Sequence, residues 1–151
     1  MNLTNPTGMP ERTSDRYGLG CFGAPRDGGK RTHAGLDIQS DPGYPVASPI
    51  DGMIVREKRP YGDGSACDTG LLIAGTGAHS TMLVTLFYAR PHEHLIGHLV
   101  TAGEEVAIAT SLQTKYPGIT NHVHLGIQIA GQWVDPRPMV YGDDPPDELT
   151  A

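Results

Sequence analysis

Two pairs of residues in this chain carry the side chains that a metal site needs. His33 and Asp37 stand four residues apart in the segment His-Ala-Gly-Leu-Asp, and His122 and His124 flank Val123 near the end of the chain. Imidazole and carboxylate groups both bind zinc, and three protein ligands leave a fourth position open, as in hydrolytic zinc sites. The four side chains therefore predict one zinc ion with three protein ligands, and one histidine that accepts or donates a proton.

Each pair taken alone has an ordinary structural explanation. A His-x-His segment is common in strands, where side chains two residues apart share a face. His33 and Asp37 could equally form a turn in which the carboxylate accepts backbone N–H groups beside a solvated histidine. The prediction of zinc depends on the occurrence of both pairs in one short chain.

The chain that must position these residues is predicted to be mainly β. Its 151 residues suffice for one domain, and its 20 glycines and 13 prolines favour turns and short strands over long helices. A long loop, Lys58 to Thr69, is of the kind that often borders a functional cleft. We expect one domain over residues 15–141, between a mobile polar arm (1–14) and an acidic tail (142–151). Apolar runs bounded by turn residues predict strands at 35–38, 44–47, 52–55, 71–74, 82–89, 106–109 and 122–129.

Charge and hydropathy exclude several kinds of partner. The net charge is -6 and the sequence has no Lys/Arg stripe, so neither nucleic acid nor an anionic membrane surface is expected to bind. No apolar run is long enough for membrane insertion, and the opening residues lack the order of a signal peptide. Cys21 and Cys67 are too few for a disulfide scaffold and could form one bridge or remain two thiols. No pattern indicates the oligomeric state.

Five segments extend the pattern beyond the two pairs: His33-Ala-Gly-Leu-Asp37, Pro45-Val-Ala-Ser-Pro-Ile-Asp-Gly-Met-Ile-Val55, Leu86-Phe-Tyr-Ala89, Val100-Thr-Ala-Gly-Glu-Glu-Val106 and His122-Val-His-Leu125. In this order they resemble the lysostaphin/LytM-type zinc metallopeptidases, over about residues 15 to 140. Within that superfamily the chain is most similar to the leukocyte cell-derived chemotaxin branch, through Asp15-Arg-Tyr-Gly and Tyr116-Pro-Gly-Ile-Thr-Asn-His-Val-His124 among others.

The resemblance implies a single compact antiparallel β-sheet domain with long loops around a zinc cleft. It implies one zinc ion per chain, with His33, Asp37 and His124 as ligands and His122 as the catalytic histidine of the His-x-His motif. It also implies the peptides of bacterial peptidoglycan as the substrate class. In the peptidases a tyrosine upstream of the first ligand supplies a hydroxyl near the transition state, and Phe22 fills that position here.

A second catalytic histidine usually follows a Tyr-Ala pair in the peptidases, and in this chain Arg90 follows Tyr88 and Ala89. The chemotaxin branch also has a basic residue at this position and resembles a zinc-binding module without peptidase activity. His92 and His94 come directly afterwards, and either could act as the second catalytic residue, while Arg90 could hold the oxyanion. The alternative is a solvent-exposed, histidine-rich loop.

The sequence therefore predicts a zinc-dependent endopeptidase that cleaves peptide stems or cross-bridges of peptidoglycan. The alternative is a non-catalytic, zinc-stabilised binding module similar to the chemotaxin branch. Such an enzyme would act on the cell wall in the periplasm or outside the cell. The chain would then be a phage lysis or tail protein, an effector delivered by a secretion machine, or a mature secreted chain.

Overall fold

A computed structural model describes residues 2–142, and within them the fold is mainly β, as predicted. The strands are short and alternate with turns, as the abundant glycine and proline indicate. Helical structure in this part of the chain is limited to three single 3-10 turns and one α-helix, α1 (Arg137–Tyr141). The strands are β1 (Ser14–Asp15), β2 (Gly18–Leu19), β3 (Pro25–Arg26), β4 (Arg31–Thr32), β5 (Leu36–Gln39), β6 (Pro45–Ala47), β7 (Gly52–Glu57), β8 (Gly70–Gly75), β9 (Met82–Phe87), β10 (Ala89–Pro91), β11 (Leu99–Val100), β12 (Glu105–Ala109), β13 (His122–Ile129) and β14 (Gln132–Val134).

One large antiparallel sheet organises the domain, in the order β11-β7-β8-β9-β13-β14. The long strand β13 pairs with β9 along one side, while its other side pairs first with β5 and then with β14. A second, three-stranded antiparallel sheet has the order β10-β12-β6, and two ribbons, β1-β2 and β3-β4, complete the domain. The antiparallel β domain expected from the resemblance is therefore confirmed.

The strand predicted over residues 82–89 is divided in two by the structure. Strand β9 ends at Phe87 and β10 begins at Ala89, in the other sheet. Tyr88 between them has a φ of 65°, a left-handed conformation that interrupts a strand and that few residues other than glycine adopt. The chain thus leaves the large sheet at Tyr88, which decides where the residues after it lie.

Apolar side chains from both sheets form one main core. Those with no exposed surface include Leu36, Ile54, Ile73, Leu86 and Leu125. A smaller cluster of Cys67, Leu112 and Ile119 lies under the long loop and packs against three tyrosines, Tyr17, Tyr88 and Tyr116. Cys67 is a buried free thiol, so the two cysteines do not form a bridge with each other.

The first residues, for which the sequence predicts a mobile arm (1–14), contact the domain at several points. Leu3 is buried in the main core, and its backbone N–H donates to the Met139 carbonyl at 2.8 Å. Glu11 is buried and accepts from Arg137 Nε at 2.8 Å. One apolar anchor and a buried ion pair hold this segment in place, although its composition is polar. Of the expected tail (142–151), residues 143–151 lie outside the described residues. None of the helices within residues 2–142 is long and apolar enough to cross a membrane.

Candidate metal centre

The pairing of β5 with β13 brings two of the predicted ligands side by side. Asp37 and His124 are direct partners in this register, and side chains opposite each other in an antiparallel pair lie on the same face. His33 lies just before β5 and is held by two backbone hydrogen bonds, its N–H to the Ala24 carbonyl and its carbonyl to the Gly23 N–H, each 2.8 Å. Residues distant in sequence thus converge at one end of the large sheet.

The ligating atoms of His33, Asp37 and His124 form a tight triangle. Nε2 of His33 lies 2.9 Å from Nδ1 of His124 and 3.1 Å from Oδ1 of Asp37. The third side, from His124 Nδ1 to Asp37 Oδ1, is 3.3 Å. Ligands about 2.0–2.1 Å from a tetrahedral zinc are separated from one another by about 3.3 Å. The side chains present therefore fit a zinc ion in both chemistry and spacing.

Two further contacts orient the first two ligands. His33 Nδ1 donates to the Cys21 carbonyl at 3.0 Å, and because a carbonyl only accepts, Nε2 presents its lone pair to the triangle. Asp37 turns Oδ1 toward the histidines, while its Oδ2 accepts from Arg12 Nη1 at 3.0 Å. Arg12 is itself fixed by Asp15, with Nη2 to Oδ1 at 2.6 Å. A metal ligand held in this way needs little reorganisation on binding.

Gly35 allows the strands to approach this closely. A Cβ at Gly35 would lie 2.6 Å from Nε2 of His124 and 2.5 Å from the Leu125 carbonyl oxygen. Both distances are shorter than van der Waals contact permits. The glycine between the two ligands of the His-Ala-Gly-Leu-Asp segment is therefore required by packing against the third ligand.

Burial and mutual proximity shift the protonation of these groups. Burial, which opposes a charge, lowers the pKa of His124 and of His122 despite the nearby carboxylate. Burial alone would raise the pKa of Asp37, but the adjacent histidines bring it well below its usual value. These shifts favour neutral imidazoles at His122 and His124 and an ionised carboxylate at Asp37, and neutral imidazole and carboxylate are the forms that coordinate zinc.

His122 lies beside the triangle but outside it. Its Nδ1 donates to the Thr120 carbonyl at 2.6 Å, and its Nε2 lies 3.4 Å from Oδ2 of Asp37. The ring of Tyr88 meets it edge to face, with ring centroids 5.2 Å apart. The Thr120 contact fixes the proton on Nδ1 and leaves Nε2 as the acceptor, which is the state a general base requires.

The structure does not bring Arg90, His92 or His94, predicted as oxyanion group and second catalytic histidine, to this site. None of the three lines the cleft. Strand β10 belongs to the three-stranded sheet, where Arg90 is exposed opposite Ile108. Nε2 of His92 bonds to Oε2 of Glu105 at 2.7 Å, and the His94 ring lies near the His92 ring. The turn at Tyr88 carries all three residues away from the large sheet.

An open cleft of about 480 Å³ contains the triangle and His122. One wall carries hydroxyl groups joined in a row: Tyr116 donates to Tyr61, and the Tyr61 and Tyr88 hydroxyls are hydrogen-bonded, each pair 2.8 Å apart. The other wall carries Phe87, which stacks on the His124 ring at 5.5 Å, with Trp133 and Lys58 beside the same opening. Phe22 does not line the cleft.

Sequence reasoning missed Arg12 and most of these wall residues. Arg12 falls in the segment expected to be mobile, 25 residues before Asp37, and no local pattern connects the two. The tyrosines come from separate loops, and only the length of the loop after Lys58 indicated that it borders a cleft.

Comparison with known proteins gives both close relatives and solved structures of the same fold, although no family model matches the chain. The chain is 34% identical to mouse leukocyte cell-derived chemotaxin-2, over 76% of this chain and 70% of that protein. The bovine protein of the same name is 31% identical over the same shares. Chicken myeloid protein 1 is 32% identical over 80% of this chain, which spans only 35% of that protein.

Solved structures of peptidases share the fold at low sequence identity. A zinc-containing peptidase from Vibrio cholerae superposes with a TM-score of 0.62 at 22% identity, covering 89% of this chain and 39% of that one. The catalytic domain of lysostaphin from Staphylococcus simulans gives a TM-score of 0.58 at 20% identity, covering 78% and 86%. The chain thus spans well under half of the Vibrio protein, and these likenesses establish the fold.

The relatives and the fold agree with the motifs around the metal triangle. The chain has the lysostaphin/LytM peptidase fold, and it belongs to the leukocyte cell-derived chemotaxin-2 family.

Proposed function

We propose that this protein is a zinc-dependent endopeptidase that cleaves peptides of bacterial peptidoglycan. The observation that carries the proposal is the triangle of His33 Nε2, Asp37 Oδ1 and His124 Nδ1, with sides of 2.9 to 3.3 Å, in an open cleft beside a neutral histidine. A purely structural zinc site closes its coordination with a fourth protein ligand. Here, among residues 2–142, three side chains are placed to hold a metal ion. A fourth coordination position therefore stays open for water or substrate.

Each residue of the site would have a separate role in peptide hydrolysis. His33, Asp37 and His124 would hold the zinc ion, which when bound lowers the pKa of water and polarises a carbonyl. His122 Nε2 accepts the proton of the attacking water and returns it to the leaving amine. Asp37 Oδ2, 3.4 Å from His122 Nε2, stabilises the imidazolium formed in between. Arg12 keeps Asp37 oriented throughout by its hydrogen bond to Oδ2.

The substrate class and the site of action come from likeness to the peptidases. Lysostaphin is described as an antimicrobial peptidase, and the Vibrio protein as a zinc-containing peptidase. By this likeness, we infer that the cleft accepts peptides of bacterial peptidoglycan. The protein would then act in the periplasm or outside the cell, as a phage lysis or tail protein, a delivered effector or a mature secreted chain.

Digestion of purified peptidoglycan tests the enzyme. Zinc-loaded protein should release new amino termini between about pH 6 and 9, near the pKa of zinc-bound water. His122→Ala should abolish the release while its zinc content stays at that of the wild type. His92→Ala serves as the matched control, because His92 lies outside the cleft and the variant should digest as the wild type does. If the wild type releases no new amino termini at any pH in this range, the proposal that the protein is a peptidase is wrong.

A non-catalytic, zinc-stabilised binding module is the second candidate. The observation in its favour is that His122 has no second unligated histidine beside it among the cleft-lining residues that the structure describes, since Arg90 occupies the usual position and lies outside the cleft. Membership of the chemotaxin-2 family favours it as well. For this candidate, the zinc-loaded protein would bind peptidoglycan in a pull-down with the insoluble wall but release no amino termini.

A further inference from the structure

Lys58 is a charged residue of the cleft that neither the metal site nor the proposed chemistry uses. It follows β7 directly, where the long loop begins, and its backbone N–H donates to the Gly70 carbonyl at 2.9 Å. Its ammonium group lies 5.8 Å from the centroid of the Phe87 ring and 3.4 Å from the Thr85 hydroxyl. The side chain is half-buried and lines the cleft.

The packing at Gly70 builds this arrangement into the fold. A Cβ at Gly70 would lie 2.5 Å from the Lys58 carbonyl oxygen and 2.7 Å from Cδ1 of Phe87. Only glycine lets the start of the loop and the Phe87 ring approach from both sides of β8. The backbone of Lys58 is therefore held close to Phe87 by the sheet and does not depend on the loop alone.

The charge of Lys58 is uncompensated, unlike that of its neighbours in the cleft. Arg12 is paired with Asp37 at 3.0 Å, and Arg31 is paired with Asp27. Within residues 2–142, no carboxylate lies within 4.0 Å of the Lys58 ammonium. Burial, and then repulsion by Arg56, lower the pKa of Lys58. A half-buried cation without a carboxylate partner is costly, and an anionic group from a ligand would offset that cost.

The distance from Lys58 to the metal triangle suits a peptide. Phe87 stacks on the His124 ring at 5.5 Å and lies 5.8 Å from the ammonium, so the ammonium and the His124 ring are at most about 11 Å apart. An extended peptide covers this distance in about three residues, at about 3.4 Å each. The exposed ring of Trp133 lines the same opening and offers an apolar surface to the residues in between.

We propose that Lys58, with Phe87 and Trp133, forms a subsite that binds a carboxylate side chain or terminus of the peptide ligand, within about three residues of the group at the metal. The subsite selects acidic peptides over neutral ones of the same shape. It rests on the proposed function only in taking the cleft as the place where a peptide binds, whether or not the peptide is then cut.

Binding of matched peptides tests the subsite without requiring turnover. The probes are pentapeptides blocked at both ends, four alanines and one glutamate placed at each position in turn, each with a glutamine twin. Trp133 is the single tryptophan of the chain and lines the cleft, so its fluorescence reports binding to zinc-loaded protein. We expect at least one glutamate peptide to bind about tenfold tighter than its twin, as one charge-assisted hydrogen bond gives.

Substitution of the lysine shows whether the preference belongs to Lys58. Lys58→Met, which keeps length and apolar contact, should bring the twins to equal affinity, and Lys58→Arg should keep most of the preference. Arg56→Met removes a neighbouring positive charge outside the cleft and should behave as the wild type. If Lys58→Met does not fold, Lys58→Gln takes its place.

Three outcomes would overturn the subsite: equal affinity of all twins for the wild type, no binding of any peptide, or a glutamate preference that survives Lys58→Met. The last would point to coordination of the glutamate by zinc, and a chelator would then remove it. Failure of the proposed peptidase is detected separately, by the absence of new amino termini from peptidoglycan. That result leaves the comparison of the twins unchanged.

Discussion

Two histidine-rich clusters in this protein are built from the same residue types and have different surroundings. His33, His124 and Asp37 meet at the end of the large sheet, where all three side chains are at most 13% exposed. His92 contacts Glu105 of the three-stranded sheet, and the His94 ring lies beside the His92 ring; the His92 and Glu105 side chains are 27% and 50% exposed. Only the first cluster has its ligating atoms within 3.3 Å of one another. Residue types identify both clusters, but burial and fixed orientation distinguish a metal site from a surface contact.

Removal of the carboxylate from each cluster should give the largest contrast. Asp37→Ala removes one of three ligands from the buried cluster, and we expect the zinc content to fall from one per chain to nearly none. Glu105→Ala removes the carboxylate of the exposed cluster and should leave one zinc per chain. Elemental analysis after dialysis measures both. Unaltered zinc content in Asp37→Ala, or loss of zinc in Glu105→Ala, would contradict the assignment of the zinc ion to the buried cluster.

Removal of the arginine that holds Asp37 should have the next largest effect. Arg12→Met breaks a buried ion pair and leaves the Asp37 and Asp15 carboxylates without their partner, so the free energy of unfolding should fall by about 3–5 kcal/mol. The exposed Arg90 is the control, because Arg90→Met should change that free energy by less than about 0.5 kcal/mol. Urea denaturation with chelator present measures both variants without a contribution from zinc. Equal effects of the two substitutions would contradict the assigned role of Arg12.

The comparison also shows what the sequence could and could not predict. Apolar runs bounded by turn residues predict most of the strands between β5 and β13, although not β11, and the glycine and proline content predicts their shortness. The position of residues 90–94 depends on the backbone at Tyr88, where the chain, with a φ of 65°, passes from one sheet to the other. No side-chain pattern encodes that switch, because the residue is a tyrosine and not a glycine.

The buried ion pair of Arg12 escaped prediction for a different reason. The polar composition of residues 1–14 predicts a mobile arm, but in the structure Leu3 is buried and each buried charge of this segment has a partner. Charges with partners can be buried, and Asp37, one of the two carboxylates that Arg12 contacts, lies 25 residues away. Local composition therefore underestimated the order of a segment that is held by long-range contacts.

Acid should destabilise the buried cluster in the metal-free protein. The pKa of His122 and of His124 is lowered in the folded state from about 6.5, so the unfolded chain takes up protons first as the pH falls. The stability that these neutral imidazoles contribute is fully present above about pH 6.5 and is lost as the pH falls through their folded-state pKa values. Urea denaturation at about pH 7 and about pH 5 should show a lower free energy of unfolding at the lower pH. His122→Gln should reduce this dependence on pH, and an unchanged dependence would contradict the shift assigned to His122.

The smallest effect is expected from the exposed cluster. His92→Ala removes a contact to Glu105 that is screened by solvent, and such surface pairs contribute about 0–1 kcal/mol. Its zinc content, its peptidoglycan digestion and its unfolding midpoint should therefore match those of the wild type. Digestion that falls with His92→Ala while zinc content is unchanged would mean that residues 90–94 reach the cleft in the working protein. The conformation at Tyr88 would then have to change when substrate binds, because in this structure it carries that segment into the other sheet.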